Sequence, residues 1–296
     1  MNNQVIDTNK KYELNISKWI QQNNNGGLTN PKEIQRFKSN ALALINNQSL
    51  KAVNDKNTIL ASAYQATLLE LPLEQNFGYC WVVPYSNKGI LQAQFQMGYK
   101  GYIQLALRSQ QYKDINISDV RDGELKKVDR IKGIKFNWIQ DENLRLKAKV
   151  VGYVASFKLK NGFYKELYMS KEQVEQHFLK YSKTYAKNKK FLVSDFDSMA
   201  LKTVLTQLLR KWGIMSVDLQ QAYEADQAVL NGQDKDYIDN PNSNSYELKK
   251  ENKEKTIDVK ANDLPLFENE SINKVFTDEE EDLLRQAQEI DNLELE

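Results

Sequence analysis

The sequence is poor in the residue types that most often carry catalysis, metal binding and covalent cross-links. Its 296 residues include one cysteine, Cys80, and one histidine, His177. With these two side chains, neither an intramolecular disulfide nor a zinc site of the usual Cys/His type can form. A lone thiol is typical of a reducing compartment, so we expect a cytoplasmic protein.

Long hydrophobic runs are also missing. No stretch approaches the roughly 18 apolar residues of a membrane span, and the N-terminal sequence MNNQVIDTNKKYELNIS lacks the apolar segment of a secretory signal. We therefore expect no membrane association. Because 41% of the residues are hydrophobic, we do expect a substantial globular core.

Motifs for nucleotide binding and hydrolysis are absent as well. The chain contains neither G-x-x-x-x-G-K-[ST] nor G-x-G-x-x-G, which argues against an ATP-driven helicase or recombinase. Asp195 and Asp197 resemble metal ligands of a nuclease, but both stand at the start of a predicted helix, where carboxylates favour the positive end of the dipole. A catalytic triad through His177 has no accompanying nucleophile motif.

Charge is abundant and unevenly distributed. Residues 236–296 contain 18 acidic and 7 basic residues, a net charge of −11, whereas residues 1–235 contain 34 basic and 22 acidic residues, a net charge of +12. A basic body with an acidic tail predicts a polyanionic partner for the body and a protein partner, or competition for the basic surface, for the tail. The alternative is that both charge excesses serve solubility alone.

The chain divides by composition into three parts. Residues 1–30, which contain QQNNNGG, are interpreted as a flexible N-terminal arm, and residues 31–232 carry the hydrophobic patterns of a folded core. Residues 233–296 contain no glycine and few large apolar residues, so we expect this acidic tail to be mostly disordered. Within it, a capping box and an apolar stripe predict a helix at 277–292.

The patterns in the core predict an α+β fold in which antiparallel β-hairpins pack with helices. The turn signals SNKG and KNG each separate two strands, Ser170 and Gln173 have the spacing of a capping box, and Gly213 marks a helix end. Several strands are expected through 112–168. The clearest strands are 79–84, 90–97, 143–160 and 163–169, and the helices are 57–71, 98–111, 170–181, 194–212 and 215–230.

The stretch QFQMGYKGYIQLALRSQQY, residues 94–112, changes from strand to helix periodicity at Gly98 and Gly101. Each glycine in a helix costs about 1 kcal/mol relative to alanine, so two of them at a helix start need a reason. Either they leave the helix N-terminus open to a phosphate, or they allow tight packing of the strand on the helix. The segment alone favours neither explanation.

Basic side chains recur in patterns that suit phosphate binding. On two predicted helices they share a face, on the strand 143–160 they alternate, and in KYSKTYAKNKKF they are interleaved with aromatic rings, as single-stranded nucleic acid requires. The sets are Lys100 and Arg108; Lys202, Arg210 and Lys211; Arg145, Lys147 and Lys149; and Lys180, Lys183, Lys187, Lys189 and Lys190. An ordinary solvated surface is the alternative for each set taken singly.

Three blocks of this sequence resemble the RecT family of phage and prophage single-strand annealing proteins. They are LELPLEQNFGYCWVVPY, QFQMGYKGYIQLALRSQQY and SMALKTVLTQLLRKWGIMS, and the resemblance spans roughly residues 35 to 230. It implies ATP-independent binding and annealing of single-stranded DNA in a bacterial host, with the annealed duplex also bound. It further implies homo-oligomers in the form of rings or helical filaments, and a 5′–3′ exonuclease partner.

The resemblance also assigns roles to residues of this chain. Lys202, Arg210 and Lys211, with Lys183 and its neighbours, would contact phosphates. Lys100 and Arg108 would help to build or brace the DNA groove, and Gly98, Tyr99, Gly101 and Tyr102 would shape it. The assignment of Arg145, Lys147 and Lys149 to DNA binding rests on their alternation alone. No cofactor is expected to be required, although magnesium is expected to modulate DNA binding. His177 matches a family stretch, and we interpret it as a packed structural residue.

Two other functions remain open at this point. A protein that only protects single-stranded DNA would share the basic surface, and a metal-dependent nuclease would use the aspartates. In the tail, NDLPLF and the predicted helix are candidate docking elements for a host single-strand-binding protein or the exonuclease. The helix is equally consistent with folding back on the basic body as a DNA mimic.

Overall fold

The structure is a computed structural model. It describes residues 2–74, 76–87, 90–129, 131–182, 185–186, 195–231 and 234–236, all within one compact unit, Met1–Tyr246. The predicted helix at 277–292, and the tail beyond residue 236, lie outside these residues.

The described elements confirm the predicted α+β class. The helices are α1 Asn2–Asn23, α2 Pro31–Asn46, α3 Lys56–Leu68, α4 Tyr99–Arg108, α5 Glu142–Lys147, α6 Lys171–Tyr181, α7 Phe196–Trp212 and α8 Val217–Ala225. The strands are β1 Cys80–Asn87, β2 Ile90–Met97, β3 Tyr112–Arg121, β4 Leu125–Asp129, β5 Gly133–Phe136, β6 Val150–Leu159, β7 Tyr164–Ser170, β8 Ala228–Asn231 and β9 Asp234–Asp236.

Helix α1 corrects the interpretation of residues 1–30 as a flexible arm. Ile16, Trp19 and Ile20 have helical spacing and are buried in the core. The Trp19 ring lies 5.7 Å from the Phe37 ring of α2 and 5.6 Å from the Tyr64 ring of α3. The asparagine- and glycine-rich segment is only the loop that follows this helix.

The first sheet has the strand order β1-β2-β8-β9. Strands β1 and β2 form the predicted antiparallel hairpin, with Asn87 opposite Ile90. The predicted helix at 215–230 is too long, because α8 ends at Ala225 and the chain then enters β8 beside β2. Gln227 has a positive φ of 62° at this turn. Strand β9 lies at the start of the tail that was expected to be disordered.

The second sheet has the order β3-β6-β7 and is antiparallel. Its inner face packs on α7 through Tyr153, Ala155 and Phe157, which are buried. The predicted capping box at the start of α6 is present: Ser170 Oγ accepts from the Gln173 N–H at 3.2 Å, and Gln173 Oε1 accepts from the Ser170 N–H at 2.9 Å.

The prediction of one strand over 143–160 is wrong in its first part. Asp141 Oδ1 accepts hydrogen bonds from the N–H groups of Asn143 and Leu144, at 2.9 and 3.3 Å, and so caps the short helix α5. The alternation of basic residues across 145–149 is therefore not a strand face. The β6 strand begins at Val150.

A buried ion network holds α5 and the β4–β5 hairpin to the sheet. Glu124 lies in the turn between β3 and β4, and its side chain is fully buried. Its carboxylate accepts from Arg145 Nε at 2.9 Å and from the Arg121 N–H at 2.7 Å. Asp119 pairs with both arginines. Burial alone would raise the pKa of Asp119, but hydrogen bonds and charge from the arginines outweigh it and lower that pKa.

Two kinds of feature are absent from the described residues. Among their helices, none combines the length and apolar character needed to cross a bilayer. The same residues contain no group of three or more histidine, cysteine and acidic side chains arranged to hold a metal ion.

Candidate nucleic-acid interface

The glycines at the start of α4 are buried against the chain's own backbone. A Cβ atom on Gly98 would lie 2.2 Å from the Gly78 carbonyl oxygen and 2.6 Å from the Trp81 ring, and one on Gly101 would lie 2.3 Å from the Tyr79 carbonyl oxygen. Of the two explanations for these glycines, close strand–helix packing is therefore the correct one. They do not shape an open groove as the resemblance implied.

The junction between β2 and α4 does bind a negatively charged group, but this group is the carboxylate of the protein's own Asp226. Asp226, just after α8, accepts through Oδ1 from the Met97 N–H at 2.8 Å and through Oδ2 from the Tyr102 hydroxyl at 2.9 Å. Lys202 of α7 completes the cluster, with Nζ 2.7 Å from Oδ2. Tyr102 is thus a buried structural residue and not a groove residue.

Arg210 continues this cluster on the next turns of α7. Its guanidinium lies 5.5 Å from the centre of the Tyr223 ring of α8, and that ring stacks on Tyr102 at 4.8 Å. A cation over an aromatic face is attracted by the ring quadrupole. Arg210 is exposed.

Arg108 at the end of α4 is directed to main-chain oxygens. Its guanidinium donates to the carbonyls of Leu69 and Glu70 at 2.6 and 3.0 Å, and it lies 3.8 Å from Asp218 of α8. These contacts brace α4 against the chain that follows α3. Because these contacts use some of the donors of the guanidinium, fewer are left to bind a phosphate.

Arg108, Lys202 and Arg210 therefore each contact the chain's own α8 or Asp226 directly after it. For Lys202 the phosphate-binding assignment needs correction, since its side chain is 13% exposed and paired with Asp226. Lys100 is exposed beside partly buried Tyr99.

The basic residues at 145, 147 and 149 fall into two groups, one paired within the protein and one exposed. Arg145 is 14% exposed and bonded to Asp119 and Glu124, so its assignment to DNA binding is corrected to a structural one. Lys147 and Lys149 are exposed.

The residues around the end of α6 keep an exposed basic surface. Lys180 Nζ lies 5.0 Å from the Tyr181 ring centre. His177 is half-buried with its ring 4.6 Å from that of Tyr181, and burial, together with the Lys180 charge, lowers its pKa. Lys211 is exposed over the Trp212 ring at 4.5 Å. The predicted contacts Lys183, Lys187, Lys189 and Lys190 lie outside the described residues.

A second basic and aromatic surface was missed by the sequence analysis. The turn between β6 and β7 has the sequence KLKNGFYK, residues 158–165, and exposes Lys158, Lys160, Phe163 and Tyr164. The signal is the one used for KYSKTYAKNKKF, lysines interleaved with rings. The KNG within it is also a turn signal, which hides the pattern of lysines and rings in the sequence.

Replacing Gly98 with alanine tests the packing explanation. We expect Gly98→Ala to lower the free energy of unfolding by about 1–3 kcal/mol, because the new methyl group meets a backbone carbonyl that cannot move freely. Lys100→Ala, on the exposed side of the same helix, should change it by less than about 0.5 kcal/mol. Denaturant unfolding measures both. Unchanged stability of Gly98→Ala with weakened DNA binding would instead support an approaching phosphate.

Comparison with known proteins supplies the family. A protein of Bacillus subtilis (strain 168), described as uncharacterized protein YqaK, is 40% identical over 249 residues, covering 79% of this chain and 84% of that protein. Protein RecT of Escherichia coli (strain K12) is 27% identical over 183 residues, covering 58% of this chain and 64% of that protein. The RecT family model matches residues 35–242, which confirms the resemblance in the three blocks: the chain belongs to the RecT family.

Proposed function

We propose that this protein binds single-stranded DNA and anneals complementary strands without nucleotide hydrolysis. The main support for this proposal is membership of the RecT family, because membership favours a role in single-strand annealing and recombination. Annealing needs no bond-making or hydrolytic step, which agrees with a sequence without nucleotide-binding motifs.

The charge distribution supports a DNA-binding body. Residues 1–235 have a net charge of +12, and a protein that neutralises phosphates gains affinity by releasing the counterions condensed on DNA. Lys100, Lys147, Lys149, Lys180 and Lys211 are exposed. Together with Arg210, which is also exposed, they remain the proposed phosphate contacts among the residues predicted from the sequence.

The proposed mechanism follows from how such contacts work. Contacts to phosphates position a strand but do not read its sequence, so the base edges stay available to a complementary strand. Several protomers side by side, in a ring or helical filament, would keep the strand extended. The free energy of base pairing then drives annealing, and the annealed duplex is the product that remains bound.

Other features of the proposal concern partners and ions. A 5′–3′ exonuclease would expose the single strand, and the acidic tail would dock this enzyme or a host single-strand-binding protein. Magnesium would modulate DNA binding by screening phosphate charge. None of these features is needed for annealing itself.

An annealing assay with two complementary fluorescent strands tests the proposed function. We expect the full-length protein to accelerate pairing without ATP, with a rate that falls steeply as salt rises. A protein that only protects single-stranded DNA would slow pairing, and a nuclease would shorten the labelled strands in magnesium. Either result would overturn the proposal.

A further inference from the structure

The turn between β6 and β7 presents two aromatic rings among three lysines. Phe163 is 41% exposed and Tyr164 is 51% exposed, and Lys158, Lys160 and Lys165 are exposed around them. Rings exposed to this extent next to cations are the combination that stacks on bases and holds phosphates.

The Tyr164 ring is held in a fixed orientation. Its hydroxyl donates to Glu166 Oε2 at 2.8 Å, and burial, reinforced by this hydrogen bond, raises the pKa of Tyr164 to about 12. The phenol therefore stays protonated at neutral pH and keeps donating. Glu166 Oε1 accepts from the Ile134 N–H of β5 at 2.5 Å, so its charge is already engaged by the protein.

Basic residues extend this surface along one face of the sheet. Lys158 pairs across from Tyr164, so both lie on the outer face, opposite the face that packs on α7. The β4–β5 hairpin, tied to Glu166, adds Lys127 directly opposite Lys135. Two like charges in that position destabilise a hairpin. Among the described residues, Lys127 has a surface ion pair with Asp129 at 3.6 Å.

Charge and chemistry identify the partner that fits this surface. Within the described parts of the chain, Lys135, Lys158 and Lys160 form no ion pair. A polyanion would be attracted by these cations, and one with unpaired bases would also use the exposed Tyr164 ring.

We propose that residues 158–165 and the β4–β5 hairpin form a contact site for single-stranded DNA. Tyr164 stacks on bases, and Lys158 and Lys160 hold the flanking phosphates. The Phe163 ring lies 6.0 Å from the ring of Phe157 on the opposite face of the sheet and is not part of the stacking surface. This proposal rests on the proposed function and adds the part of the protein surface at which single-stranded DNA would bind.

Binding of a poly-dT oligonucleotide to the full-length protein tests the site. Tyr164→Ala should weaken binding about tenfold, the effect of losing one stacking ring, whereas Tyr164→Phe, which keeps the ring, should bind nearly as well as wild type. Replacing both Lys158 and Lys160 with glutamine should reduce the slope of log affinity against log salt by about 1.4, since each single-strand phosphate contact contributes ~0.7. Lys32→Gln, an exposed lysine of α2, is the control and should change neither quantity.

A crosslinking experiment on the wild-type protein avoids any effect of substitution on folding. An oligonucleotide containing 5-iododeoxyuridine should crosslink to the tryptic peptide 161–165, NGFYK, which carries both rings. Crosslinks confined to other peptides, or wild-type affinity in Tyr164→Ala, would overturn the site while leaving the annealing function intact. Failure of the wild-type protein to bind poly-dT would overturn both.

Discussion

Replacing Asp226 with alanine should lower the free energy of unfolding by about 3–5 kcal/mol, because it leaves the Lys202 ammonium buried without a counter-charge. The two side chains are 12% and 13% exposed and lie 2.7 Å apart. The substitution also removes the acceptor for the Met97 N–H and the Tyr102 hydroxyl. For a domain of this size, the unfolding midpoint should fall by about 10 °C.

A matched control is available at the other end of α8. Asp218 is 48% exposed and lies 3.8 Å from Arg108, so Asp218→Ala should change stability by less than about 1 kcal/mol. Denaturant unfolding of both variants gives the comparison. Equal stabilities for Asp218→Ala and Asp226→Ala would contradict the role assigned to the Asp226 cluster.

The same cluster changes what is expected of Lys202 in DNA binding. A lysine that contacts a phosphate contributes to the salt dependence of binding, whereas a lysine paired with Asp226 does not. The Asp226 pairing thus implies a stability role for Lys202, while Arg210, which is exposed, stays among the proposed phosphate contacts.

The fold was most predictable where the signal is local. The capping box at Ser170 and Gln173, the hairpin around SNKG and the helix end at Gly213 each depend on a few adjacent residues, whose turn or cap chemistry is the same in every fold. Helix α1 was missed although Ile16 and Trp19 have helical spacing, because its stability comes from packing on rings that lie far along the chain.

The candidate site was less predictable because ion pairs are set by the tertiary structure. A helical wheel places Lys202 and Arg210 on one face, but it cannot show that Asp226 approaches that face. Likewise, Arg145 looked available in the sequence, and its partners Asp119 and Glu124 lie more than twenty residues earlier. Counting cations along a chain therefore overestimates the surface that DNA can use.

Glu124→Ala should be the second strongly destabilising substitution, with a loss of about 3–5 kcal/mol, because it leaves the Arg145 guanidinium without one of its buried partners. It also leaves the N–H groups of Arg121 and Ile139 without the acceptors that lie at 2.7 and 3.3 Å. Glu142→Ala, which removes an exposed carboxylate from the first turn of α5, is the control and should cost less than about 1 kcal/mol.

The effect of Glu124→Ala should also be local, because Glu124 joins the base of the β4–β5 hairpin to α5. Hydrogen exchange should accelerate first at the hairpin amides, including that of Ile134, before it does so in the core strand β6. Uniform acceleration across both regions would show that Glu124 supports the whole fold, and unchanged exchange with unchanged stability would show that the buried ion network contributes nothing to stability.

The hairpin of the Glu124→Ala variant still carries Lys127 and Lys135, even when it is loosened. DNA binding by this variant should therefore lose affinity, while the slope of log affinity against log salt stays close to that of the wild-type protein.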